Sequence, residues 1–187
     1  MLLRLVAVAL LVLVAGCGAE EGAETSVQQT AETEGLYLDV NGLKYQIQMS
    51  RYMNPNDVED QEYLVGLPQG AAEPAGDEIY FGVWVRVENT SEDETRPAAT
   101  IWEIHDTQEN VYRPVAIDTD INAFAFEPGD VPPKTVIPLP TSAAGQGPVQ
   151  GSMLLFRIPT ESFQNRPLEL KFRNGGSGQE GTYDLDV

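Results

Sequence analysis

The sequence of 187 residues predicts an all-β protein whose single folded domain is an antiparallel, two-sheet β-sandwich of about seven to nine short strands. Two observations support this prediction. Apolar residues recur with a period of two from residue 36 onward, and turn-forming residues separate the alternating segments. A third observation concerns location, because a short apolar run at the N-terminus ends at the only cysteine of the chain. The hydrophobic content of 42% is sufficient for the core of one such domain.

The N-terminus has the pattern of a bacterial lipoprotein signal peptide. A charged start ending at Arg4 precedes the apolar residues 5–13, and small residues lead to Cys17. Cleavage between Gly16 and Cys17 would remove residues 1–16 and make Cys17 the mature N-terminus. The Cys17 sulfur can carry a diacylglyceryl group through a thioether bond, and its acyl chains would hold the protein in the membrane lipid. A transmembrane helix needs about 20 apolar residues, so this run is too short. A secretory signal without lipidation remains the alternative.

Residues 17–35 predict a flexible acidic tether that follows the lipidated cysteine. The segment carries five glutamates and no aromatic residue, and such a composition cannot offset the entropy of ordering the chain. The folded domain is therefore expected over residues 36–187.

The first strands are predicted on either side of Asn41-Gly42, the dipeptide that best fits a type I′ hairpin turn. Residues 36–40 form one arm. In the other arm one face holds Leu43, Tyr45, Ile47 and Met49. Residues 51–78 then form an acidic connection, with a short edge strand expected at residues 63–65.

Residues 79–88 give the clearest strand, because five aliphatic or aromatic residues alternate with Tyr80, Gly82, Trp84, Arg86 and Glu88. A second hairpin is expected from residues 100–106 and 111–117. The prolines of residues 127–148 belong in loops and edges because they lack an N–H group. Strands are again expected at residues 154–158, 168–172 and 182–187. The predicted core contains Phe81, Val83, Val85, Leu154, Phe156, Ile158 and Leu170.

The order of these motifs resembles the immunoglobulin-like domain of unknown function found in many surface lipoproteins of Gram-positive bacteria. The resemblance covers about half of the chain, residues 81–172. It is carried by Val-x-Val-x-Val-x-Asn-Thr-Ser at residues 83–91, Asp106, Asn110-Val111-Tyr112, Pro128-Gly129, residues 151–159, and a closing Leu-x-Leu-x-Phe at residues 168–172. It implies an immunoglobulin-like β-sandwich on the outer face of the cytoplasmic membrane, and it supplies no catalytic residues.

Charge and composition narrow the classes of function. The net charge of −18 argues against nucleic acid as a partner, since phosphates would repel the protein. His105 is the only histidine, and it shares a strand face with Glu103, so a solvated side chain is expected rather than a catalytic one. Acidic groups at residues 57–62 and at Asp118 and Asp120 lack the spacing of a calcium loop. Scattered methionines favour core packing over copper binding. No cofactor or metal is expected.

The remaining candidates are exposed aromatic residues. Tyr37, Tyr80 and Trp84 lie opposite the apolar faces of their strands, where they could anchor a protein, peptide or glycan of the cell envelope. Alternatively, they pack under a long loop. The sequence thus favours a lipid-anchored, non-enzymatic binding module on the extracytoplasmic face of the cell membrane. The alternative is an accessory or solute-binding subunit of a membrane transporter.

Overall fold

The computed structural model describes residues 29–71, 74–175 and 178–186. The predicted signal peptide, the site at Gly16 and Cys17, and residues 17–28 of the predicted tether lie outside the described residues. The strands in the described ranges are β1 (Thr30–Ala31), β2 (Tyr37–Val40), β3 (Leu43–Met53), β4 (Glu78–Asn89), β5 (Arg96–Pro97), β6 (Ile101–His105), β7 (Val111–Tyr112), β8 (Asp130–Val131), β9 (Thr135–Ile137), β10 (Ser152–Pro159), β11 (Glu169–Arg173) and β12 (Glu180–Asp184). The helices are α1 (Val58–Gln61), α2 (Ala143–Gln146) and two 3-10 helices, Glu62–Leu64 and Thr160–Gln164.

Two sheets pack face to face, as the alternating pattern predicted. The first sheet has the strand order β1-β12-β11-β6-β7. The second has the order β10-β4-β3-β2, and β9 also pairs with β4. A small third sheet joins β5 and β8. The pairing of β1 with β12 is parallel, and the other pairings are antiparallel. The predicted β-sandwich is confirmed, and seven of the described strands have four or more residues.

The first hairpin has the predicted turn. Asn41 and Gly42 have positive φ angles of 55° and 72°, and Val40 pairs with Leu43 across the turn. A type I′ turn requires φ above zero at both central residues, and asparagine followed by glycine satisfies this requirement at little cost. The local sequence therefore determines the register of β2 against β3.

The core lies between the two sheets and includes every residue that the alternation predicted for it. Tyr45 of β3 packs against Phe172 of β11, with 4.6 Å between ring centroids, and against Trp102 of β6 at 6.0 Å. These contacts join the second sheet to the first. The predicted core residues that the structure buries there are Phe81, Val83, Val85, Leu154, Phe156, Ile158 and Leu170.

Two residues of β3, Met49 and Ser50, lie on the opposite faces from those predicted. The register of β3 against β4 shifts between Ile47 and Met49, which marks a β-bulge at Gln48. An extra residue in one strand reverses the direction of every side chain beyond it. Met49 therefore joins Trp84 on the outer face, while Ser50 is buried.

The folded region begins before residue 36, where the sequence placed the end of the tether. β1 adds a strand to the edge of β12, and Ala31 is fully buried. Glu34 accepts hydrogen bonds from the backbone N–H of Ser50, at 2.9 Å, and from its hydroxyl. Burial raises the pKa of Glu34 despite these bonds. The sequence pattern did not predict that this segment is ordered, because its hydrophobicity is low. Its ordering depends on backbone pairing and on one small apolar side chain.

Three further predictions differ from the structure in detail. The second hairpin is formed by β6 and β7, but β7 ends at Tyr112, and Pro114 instead bridges to Phe156 of β10. The last strand begins at Glu180 and ends at Asp184, rather than spanning residues 182–187. Residues 62–64 form a 3-10 helix, so the predicted edge strand at residues 63–65 is wrong. Asp57 caps the preceding α1, accepting a hydrogen bond from the N–H of Glu59 at 2.8 Å.

Candidate functional site

The three aromatic residues that were candidate partner anchors differ in their exposure to solvent. Tyr37 is exposed, with 49% of its surface accessible. Tyr80 and Trp84 are fully buried, so the prediction that they form an exposed surface is wrong. They belong to a second apolar cluster on the outer face of the second sheet, together with Met53, Tyr63, Met153 and Leu155.

Long connections cover this outer face and bury Trp84. Tyr63 packs edge-on against the Trp84 ring with 5.3 Å between centroids, and Phe124 packs against Tyr63 at 4.8 Å. The Asn122 amide donates hydrogen bonds to the carbonyls of Tyr63 and Val65, which ties the two connections together. Gly82 gives the Trp84 ring its space, since a Cβ there would lie 2.8 Å from it. The alternation of apolar and polar residues distinguishes the two faces of a strand, but it does not show which other segments cover the outer face.

A cleft opens where β10 of the second sheet faces β6 of the first, and we call it the edge cleft. Its volume is about 730 Å³. Its walls are formed by residues 100–102, 113–117, 125–128 and 153–155, with Thr119 beside them. Most of these side chains are apolar, and a few polar groups stand among them, which is the usual composition of a ligand-binding cleft.

The edge cleft exposes an unpaired strand edge. In the described part of the chain, β6 pairs with β11 along its whole length, but β7 pairs only with Ile104 and His105. The edge of residues 101–103 that faces away from β11 therefore has no neighbouring strand. The chain leaves this edge after Tyr112, and the N–H of Val115 donates to the carbonyl of Leu155 on β10 at 2.7 Å. Ile101 and Trp102 line the cleft at this edge.

Charged side chains stand beside the edge cleft. Glu103 accepts a hydrogen bond from Arg113 at 2.7 Å and lies 3.5 Å from the Nε2 atom of His105. The Arg113 side chain remains 72% exposed. His105 is only partly buried and does not line the edge cleft. The structure therefore keeps the lone histidine beside Glu103, as the shared strand face predicted.

The described chain enters the sandwich on the side opposite the edge cleft. Gln29 accepts a hydrogen bond from the N–H of Thr182, beside β1, and β1 and β7 occupy opposite edges of the first sheet. Four steps of strand spacing separate these edges by about 19 Å. A partner approaching the cleft would therefore meet the face away from residue 29.

A second concavity lies over the outer face of the second sheet, and we call it the outer pocket. Its volume is about 760 Å³. Four acidic residues of the α1 region line one side of it, and residues 143 and 146–149 line another. Met49, Arg51, Val58, Tyr63 and Phe124 complete the wall.

An ion pair forms one side of the outer pocket. The Arg51 guanidinium contacts the Asp60 carboxylate at 2.5 Å and lies 5.2 Å from the centre of the Trp84 ring. Asp60 is only 5% exposed and also accepts the N–H of Asn54 at 2.7 Å. Burial acts to raise the pKa of Asp60, but these hydrogen bonds and the Arg51 charge outweigh it, so the pKa is lowered. The pair is therefore charged at neutral pH.

Neither concavity brings together a recognisable metal site. Within residues 29–71, 74–175 and 178–186, no three His, Cys, Asp or Glu side chains converge in a way that could hold a metal ion. No helix in these ranges has both the length and the apolar character needed to cross a membrane.

Comparisons with known proteins identify neighbours of the fold. No protein-family model matches the chain, and no curated protein does. The chain is similar to the crystal structure of the YjhA protein from Bacillus subtilis, with 11% identity and a TM-score of 0.46, covering 83% of this chain and 99% of that one. It is also similar to an uncharacterized β-sandwich protein from Clostridium difficile 630, with 10% identity and a TM-score of 0.45, covering 85% and 97%.

Proposed function

We propose that this protein is a lipid-anchored, non-enzymatic binding module of the bacterial cell envelope, held on the extracytoplasmic face of the membrane through Cys17. In this proposal its edge cleft holds an extended polypeptide segment of an envelope partner. The observation that carries the proposal is the unpaired edge of residues 101–103 inside an apolar cleft.

A strand edge in a cleft favours one kind of occupant. Its unpaired N–H and C=O groups are spaced to match another extended backbone, which would add a strand to the sheet. Apolar side chains of that segment would pack against Ile101, Pro114 and Ile117, which line the cleft. A glycan has no peptide N–H and C=O groups at the spacing of a β-strand, so a polypeptide fits the edge better.

The proposed anchor and the cleft have compatible positions. Described residues begin at Gln29 on the side of β1, while the cleft lies on the side of β7 and β10. An anchor at residue 17 would therefore be joined to the domain on the side of β1, away from the cleft. The lipoprotein signal pattern and the resemblance to surface lipoproteins support the proposed anchor.

The polar groups of the edge cleft favour binding over catalysis. The lining contains Thr100, Thr119, Arg113 and Glu127, and within the described residues no hydrogen bond joins the Glu127 carboxylate to either threonine hydroxyl. We therefore assign the cleft a recognition role, and we expect His105→Ala to leave partner binding within a few-fold of wild type.

Site-specific photo-crosslinking in native membranes tests the proposal. The full-length protein would carry p-benzoylphenylalanine in place of Ala116, an exposed residue that lines the cleft. The matched control carries it in place of Tyr37, which is exposed on β2. We expect one discrete protein adduct at position 116 and none at position 37.

A second substitution links the adduct to the cleft. Ile117→Asp places a charge in the apolar wall and should abolish the adduct at position 116. Unchanged urea unfolding would show that this variant remains folded. An adduct that forms only at position 37, or one at position 116 that persists with Ile117→Asp, would contradict the proposal.

A further inference from the structure

The outer pocket has an aromatic and apolar wall that is independent of the edge cleft. Tyr63 and Phe124 meet at an interplanar angle of 54°, so their rings form a corner rather than a flat surface. Met49 and Val149 also line the pocket. The negative faces of aromatic rings attract cations, and methylated ammonium ions are typically bound in aromatic corners of this kind.

The side chains that line the outer pocket have a net negative charge. Arg51 and Asp60 neutralise each other, which leaves the carboxylates of Asp57, Glu59 and Glu62 along the wall. All three residues are exposed. They create a negative potential at the entrance, which favours a cationic ligand and disfavours an anionic one.

The hydroxyl group of a mostly buried tyrosine opens onto this pocket. Tyr63 is only 8% exposed and lines the pocket, and its hydroxyl has no hydrogen-bond partner among the described residues. Burial raises the pKa of Tyr63, so its hydroxyl is protonated at neutral pH and can donate a hydrogen bond. A polar atom that has no protein partner and opens into a cavity is available to a ligand.

We propose that the outer pocket binds a small organic cation, a methylated ammonium compound that carries a nearby polar group. The methyl groups would lie in the corner of Tyr63 and Phe124, and the carboxylates of Asp57, Glu59 and Glu62 would supply the attraction. The Tyr63 hydroxyl would bond the polar group. A quaternary ammonium needs no hydrogen-bond acceptor of its own, which suits a corner formed by two aromatic rings. This proposal does not depend on the function assigned to the edge cleft.

Calorimetric titration of the purified full chain at low salt tests the charge preference directly. The probes are choline and its uncharged isostere 3,3-dimethylbutan-1-ol, which has the same shape. We expect choline to bind at least about five-fold more tightly, as ring and carboxylate attraction to a cation requires. Equal affinities, or no measurable binding of choline, would overturn the proposal.

Two sets of variants locate the binding site. Glu59→Gln with Glu62→Gln removes two of the rim charges, and we expect it to weaken choline several-fold while leaving the isostere unchanged. The control, Glu127→Gln with Glu161→Gln, removes two exposed charges elsewhere and should change neither. Phe124→Leu should reduce the preference for choline over the isostere. Equal losses in the rim variant and its control would refute the assignment to this pocket.

A third probe distinguishes a free cation from a lipid headgroup. Glycerophosphocholine carries the same ammonium next to a phosphate, which the acidic rim should repel. We expect it to bind more weakly than choline. Tighter binding of glycerophosphocholine would contradict the role assigned to Asp57, Glu59 and Glu62.

Discussion

Asp106 organises the turn between β6 and β7, and its substitution is the most informative stability test. Its carboxylate accepts hydrogen bonds from the N–H groups of Gln108 and Asn110, at 2.9 and 3.0 Å, and from the Asn110 side chain at 2.9 Å. The Tyr112 hydroxyl and the Asn165 amide also donate to it, at 3.2 and 3.4 Å. Asp106 is only 6% exposed.

Asp106→Asn keeps the size of the side chain but replaces one acceptor oxygen with a donor. The new amide would face the donors of Asn110 and Asn165. Because hydrogen bonds to a charged group contribute about 1.5–3 kcal/mol each and share one network, we expect a loss of about 2–4 kcal/mol in the free energy of unfolding. Asp93→Asn is the matched control, since Asp93 is exposed and its substitution changes the net charge equally.

The loss should depend on pH in a defined direction. Burial acts to raise the pKa of Asp106, but the hydrogen bonds from Asn110, Gln108 and Asn165 outweigh it and lower the pKa below its ordinary value of 3.8. A lowered pKa in the folded state contributes stability that is present above the unfolded value and is lost as pH falls through the folded one. The difference between wild type and Asp106→Asn should therefore be full at pH 6–7 and shrink below about pH 4.

Urea unfolding followed by the fluorescence of the two buried tryptophans measures this difference. Two results would refute the reasoning. One is a loss no larger than that of Asp93→Asn at neutral pH. The other is a loss that grows as the solution is acidified.

The other predictions concern burial and anchoring. Trp84→Ala should cost about 3–5 kcal/mol of unfolding free energy, while Tyr37→Ala should change it by about 0.5 kcal/mol or less; equal losses would show that the outer face is open to solvent. Phe156→Ala should likewise cost about 3–5 kcal/mol, and Lys171→Ala well under about 1 kcal/mol, in the same urea assay. Cys17→Ser should leave the protein unprocessed or shed into the medium, and an unmodified Cys17 in the wild-type mass spectrum would contradict the predicted anchor.

The sequence predicted the inner half of the sandwich well, because the signals there are local. The φ requirement of Asn41-Gly42 set the first turn, and the period of two in residues 79–88 set the inner face of β4. Each of these signals depends only on neighbouring residues. The fold class and the core could therefore be read without knowledge of tertiary contacts.

The outer face and the two concavities could not be predicted in the same way. The bulge at Gln48 reversed Met49, and nothing in the alternation marks the extra residue. The sequence leaves open whether Trp84 is exposed or packs under a long loop, because the connections that cover it have no periodic pattern of their own. Trp84 and Gly82, two residues apart on the outer face of β4, were the available hint, since a large ring beside a missing Cβ indicates close packing.

The sequence pattern did not predict the edge cleft either. It forms because β7 ends at Tyr112 and the chain crosses to β10, and the pattern of residues 111–117 predicted instead a continuous second arm of the hairpin. For the acidic residues of segment 57–62, the sequence favours a solvated loop over a calcium site. The structure shows that Arg51 forms an ion pair with Asp60. The three other carboxylates of this segment then face the outer pocket together, beside an aromatic corner that the sequence pattern does not reveal.

Amide hydrogen exchange gives the most direct test of the proposal that a partner adds a strand at the edge cleft. The protein would be compared alone and in complex with the partner captured by crosslinking at position 116. We predict slower exchange at one or more of the amides of residues 101–103, with no change in β2. Binding that leaves these three amides unprotected, or that protects β2 instead, would contradict strand addition at this edge.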